Sequence, residues 1–138
     1  MKKKTNNTNM EEAYCSFEVS ELLKEKGFDE KFYFFYRTDD DVKNIHHAVI
    51  AQPLEYSKKI DDEVIAAPTH QMACAWLRKK KGIAILPEIH AVYTKGYHWA
   101  ACIYKLDNPS ELHTYLNALD SYEEAVETAL KYCLENLI

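Results

Sequence analysis

The chain has 138 residues, 47% of them hydrophobic and 28% charged, with a formal net charge of −5. These are values of an ordinary globular domain with its own core, not of a disordered chain or a small stapled scaffold. The acidic balance argues against a nucleic-acid binder, and no apolar run approaches the roughly 18 residues needed to span a bilayer.

Residues 1–12 begin with Met1-Lys2-Lys3-Lys4 but carry no apolar stretch behind the basic start. They are therefore expected to be a flexible lead-in rather than a secretion signal, with residues 13–138 as a single domain in a cytoplasmic setting. Ser16 is placed to cap a helix whose Val19, Leu22 and Leu23 follow i, i+3, i+4 spacing and which stops at Gly27. Phe32 to Tyr36 is a run of five aromatics, the pattern of a strand covered on both faces. Asp39, Asp40 and Asp41 mark a loop tip, and residues 45–50 suggest a second strand. Residues 51–66 carry no clear period, and Pro53 discourages regular structure there.

Thr69 is the expected cap of a second helix, striped by Met72, Ala73, Trp76 and Leu77 and closed by Gly82. Its basic last turn, Arg78 to Lys81, complements the negative end of the helix dipole. Residues 83–86 and 89–93 read as strand segments interrupted near Pro87. A turn at 94–97, with Gly96 supplying positive φ, returns the chain through a strand at 98–105. A weaker strand is expected within 112–119. Ser121 with Glu124 forms a capping box opening the last helix, which places Tyr122, Val126, Ala129, Cys133 and Leu137 on one face. The order predicts an α+β fold: about three helices on one face of a mainly antiparallel sheet of three to five strands.

Three segments, SFEVSELLKEKGFD (16–29), APTHQMACAWLR (67–78) and SYEEAVETAL (121–130), resemble a family of small uncharacterised proteins from gut bacteria and their phages. They cover about a quarter of the chain in the family's order, while residues 38–66 depart from its pattern. The resemblance implies a phage or prophage setting and brings no activity, substrate or catalytic residue with it.

The chemistry-bearing residues favour modest readings. Cys15, Cys74, Cys102 and Cys133 contain no C-x-x-C pair and sit in apolar contexts, as reduced core cysteines do. Of His46, His47, His70, His90, His98 and His113, only the first two are close in sequence, and neighbours on a strand point to opposite faces. No metal or cofactor is expected on that spacing. His98 and Cys102 share a strand face but lie about 13 Å apart, too far for a nucleophile and its base. A Cys/His or carboxylate site near 89–104 would need His90 from the neighbouring strand. The runs Asp39 to Asp41 and Asp61 to Glu63 lack calcium-loop spacing and suit solvated loop tips.

The aromatic surplus carries the leading functional expectation. Tyrosine joins a large apolar ring to a polar tip, and exposed apolar patches mark contact surfaces. Tyr33, Phe35, His98 and Tyr104 are the expected interface residues of a non-enzymatic module that self-associates or binds a protein, with nucleic acid and membrane disfavoured. The alternative is a small enzyme with its site at the 89–104 hairpin.

Overall fold

The computed structural model describes residues 12–48, 52–92 and 96–138. The lead-in up to residue 11, part of the strand expected at 45–50 and part of the turn at 94–97 lie outside the described residues. Helix α1 spans Phe17–Glu25, and the Ser16 hydroxyl accepts from the Val19 N–H as its cap. Strands β1 (Phe34–Arg37), β2 (His46–His47) and β3 (Val64–Ala66) form one antiparallel sheet in the order β2-β1-β3. Helix α2 (His70–Trp76), capped by Thr69, runs directly into a π-helical turn at Leu77–Lys81. Strands β4 (Ile83–Ala91), β5 (Tyr97–Lys105) and β6 (Thr114–Leu119) form a second antiparallel sheet in that order. Helix α3 spans Tyr122–Asn136.

The fold is thus α+β with three helices, but the strands divide into two three-stranded sheets instead of one. The division follows from the α2 segment, which carries the chain away between β3 and β4. Helix α3 sits at the centre: it touches all three strands of the second sheet, as well as α1 and α2, while α1 touches β3. Its buried face consists of Ala125, Val126, Ala129, Leu130, Cys133 and Leu134. The two alanines let neighbouring backbones approach closely, and Leu130 and Leu134 fill the space between them. Tyr122, expected on this face, is 48% exposed at the helix start, where its ring meets Trp99 edge-on at 5.5 Å.

Pro87 does not interrupt β4, because β4 is an edge strand and the missing N–H falls within a continuous nine-residue element. Part of the aromatic surplus is absorbed: Phe28, Phe32, Tyr36 and Trp76 are buried, while Phe17, Phe34, Phe35, Tyr56 and Trp99 are half-buried against the two core clusters. Tyr36 donates its hydroxyl to the Cys15 carbonyl at 2.7 Å. Among the described residues the exposed rings are tyrosines, namely Tyr33, Tyr97, Tyr115 and Tyr122. All four cysteines are free, and Cys15, Cys102 and Cys133 are buried.

Gly82 closes the π turn in the left-handed region at φ 65, where a Cβ would meet open space. Replacing it with alanine therefore adds backbone strain without a clash. Gly82→Ala is expected to cost about 1–2 kcal/mol, read from chemical denaturation.

Candidate functional site

The two acidic runs singled out in the sequence come together in three dimensions, around one cation. Arg37, at the end of β1, reaches Asp39 at 3.1 Å, Asp61 at 3.0 Å and Glu63 at 3.4 Å. Hydrogen bonds from Arg37 hold the Asp39 carboxyl below its usual range. For Asp61 the Glu63 backbone N–H acts first and Arg37 second. Glu63 is pushed the other way, chiefly by Asp39. The cluster thus ties the loop after β1 to the segment entering β3. Asp40 separately engages His46 at 2.7 Å.

A second polar junction lies inside the helical layer. The Glu127 carboxylate, on α3, accepts from His70 Nε2 at 2.9 Å and from the Ser16 backbone N–H at 3.3 Å. One side chain therefore joins the first residue of α2 and the cap of α1 to the central helix. With Nε2 donating, His70 Nδ1 is buried and has no partner among the described residues. Burial pushes the Glu127 carboxyl up, but the bonds from His70 and Ser16 outweigh it and leave the group below its usual value. Beside this junction is a cleft of about 450 Å³ whose walls include His70, Cys74, Arg78, Ile85 and Tyr122. Burial raises the Cys74 thiol to about 11, with Arg78 pulling it back only in part. A thiol held protonated at neutral pH is a wall of this cleft, not a nucleophile.

The remaining polar cluster occupies the outer face of the second sheet, away from α3. Strand alternation sends Trp99, Ala101 and Ile103 inward and His98, Ala100, Cys102 and Tyr104 outward. On β4 the outward set is Leu86, Glu88 and His90, and on β6 it includes Tyr115 opposite Cys102. His90 Nε2 lies 2.7 Å from Glu88 Oε1 and 2.7 Å from the Tyr115 hydroxyl. Because β5 separates β4 from β6, the His90–Tyr115 contact spans the central strand diagonally, above Ala100. That explains why Ala100 is fully buried on a face that no helix among the described residues covers. His98 stacks on His90 with centroids 5.6 Å apart and donates to Asn117 Oδ1 at 2.7 Å. Asn117 Oδ1 also accepts from the Ala118 N–H, steadying a bulge where Ala118 adopts φ 59.

The electrostatics of this cluster are those of a structural network. Hydrogen bonding by His90 lowers the Glu88 carboxyl. Desolvation, then the Glu88 charge, raises both the Cys102 thiol and the Tyr115 phenol. Near neutral pH the carboxylate is ionised while thiol and phenol keep their protons, so neither the thiol nor the phenol is poised as a nucleophile. The two imidazole rings are nearly parallel, and among the described residues no group of three or more His, Cys, Asp or Glu could hold a metal ion.

Of the four residues expected at an interface, His98 and Tyr104 lie on this outer face, and Tyr33 and Phe35 belong to the first-sheet region. The structure does not bring the two pairs onto one surface. Tyr33 is exposed, whereas Phe35 is half-buried against the main core and stacks on His46. Leu86, Tyr115 and Glu127 were not singled out by the sequence. Leu86 and Tyr115 follow from strand parity once the register is known; Glu127 is one of several glutamates on its helix and carries no distinguishing signal. Among the described residues no helix is long and apolar enough to cross a membrane. Comparisons with protein-family models, curated proteins and solved structures found no match.

Two outcomes are expected. Because the folded-state carboxyl of Glu127 is depressed, its contribution is complete above the unfolded value near 4.5 and is lost as pH falls through the folded value. Glu127→Ala should cost about 1.5–3 kcal/mol at pH 7, and the gap from wild type should shrink in denaturation curves taken at progressively lower pH below 4.5. Ala100→Leu should displace the His90–Tyr115 contact and cost about 1–3 kcal/mol in thermal unfolding.

Proposed function

We propose that the protein is a non-enzymatic interaction module that docks a protein surface, its own copy or a partner, on the outer face of β4, β5 and β6. The observation carrying this reading is that α3 covers one face of the second sheet while Leu86 and Tyr115, 55% and 37% exposed, stand on the other. Around them are His90, His98 and Tyr104, a mixture of apolar rings and hydrogen-bonding tips suited to a protein interface. The internal bonds of the network hold these side chains in one arrangement before any partner arrives, which lowers the entropy lost on docking. A phage or prophage accessory role, suggested by the resemblance of the helical segments, is compatible with a module of this kind.

The chemistry of this face favours binding, since the thiol and the phenol keep their protons and the carboxylate is bonded to His90 within the network. Leu86→Asp and Tyr115→Ala test the assignment. Both positions are exposed, so folding stability should change little at Leu86, while association measured by light scattering and sedimentation should weaken about tenfold or more. Unchanged association in both variants would refute the assignment of this face.

A further inference from the structure

We infer that the second sheet continues across a two-fold axis, with β6 of one copy pairing antiparallel with β6 of a second copy to form a six-stranded sheet. The inference goes beyond the face contact proposed above: it adds a separate contact along the β6 edge, with a second copy of the chain as the partner. The two edges of the sheet differ in how they are protected. The β4 edge carries Pro87 in its middle, which lacks an N–H, followed by the charged Glu88. Such residues are the ordinary means by which an edge strand is kept from pairing. The β6 edge, Thr-Tyr-Leu-Asn-Ala-Leu, has neither a proline nor a charge. Its bulge lies near the C-terminal end, at Ala118, and leaves Thr114 to Asn117 as extended edge. An edge of this kind presents a row of backbone donors and acceptors that only another extended strand satisfies in full.

The flanks of β6 favour a second copy as that strand. His113 precedes the strand and Asp120 follows it, both exposed. Antiparallel pairing about a two-fold brings His113 of each copy alongside the partner's Asp120, so the same two complementary contacts form at both ends. The arrangement also sets Leu112, 48% exposed, and Tyr115 close to the second copy. It places the two outer faces side by side as one larger surface.

Amide hydrogen exchange on the wild-type chain at about 2 and about 200 µM tests the pairing directly, because edge amides are protected only when paired. The expected result is concentration-dependent protection of amides in 114–119, about tenfold or more, with no change in 83–91. Asn117→Lys and Asn117→Asp, close to the axis, should each give monomers by light scattering, and their mixture should restore a dimer. A wild type that dimerises without added protection in 114–119 would overturn the edge pairing while leaving the outer face as the contact. A wild type that remains monomeric at both concentrations would also overturn it, leaving the face free for a different protein. Failure of the mixture to associate, with both variants folded by circular dichroism, would overturn the register that sets His113 beside the partner's Asp120.

Discussion

The carboxylate of Glu127 is a polar point shared by all three helices, set beside the apolar core that they also share. It accepts from the backbone that caps α1 and from the imidazole that opens α2, while its own backbone belongs to α3. Helices α1 and α2 pack on α3 beside this junction, while the second sheet packs on it as well. A buried polar junction of this kind adds less net stability than its bonds suggest, since the carboxylate must first be partly stripped of water. What it supplies is specificity: a helix sliding by one turn would strand the charge without its donors.

The outer face of the second sheet shows the same economy of contacts in a different form. A histidine from one edge strand and a tyrosine from the other meet above the central strand, over an alanine too small to obstruct them. The face is left without a covering layer, yet its side chains are held in place by one another. Among the described residues every exposed aromatic ring is a tyrosine, whereas the phenylalanines and tryptophans are buried or half-buried.

The helices were readable from local signals because caps, stripes and stops act within a few residues. Ser16, Thr69 and Ser121 each make the backbone bond expected of them, at 3.1, 3.1 and 3.0 Å. Gly27 and Gly82 both take positive φ after their helices. The second sheet was also legible, as a hairpin and a following strand, although Pro87 suggested an interruption that an edge position makes unnecessary. The separation into two sheets was not legible, since strand partners are chosen by packing across the whole chain. For the same reason Phe35 read as surface but stacks against the core, and the convergence of Asp39, Asp61 and Glu63 on Arg37 had no local sign. Residue type marked the candidate interface on β5; the network that organises it spans three strands and needed their register.

The π-helical turn at Leu77–Lys81 has a consequence for how the chain could change length. Such a turn takes one residue more than an α turn to advance the same axial distance. Its surplus falls within Arg78-Lys79-Lys80-Lys81, four neighbouring cations of which Lys80 reaches Asp29 and Lys81 lies over Trp76. Losing one lysine would leave this stretch basic and let the turn close as an ordinary α turn, with Ile83 and Ile85 still entering the second sheet toward the core. The wide turn thus stores one surplus residue without shifting the phase between the helix before it and the strand after it.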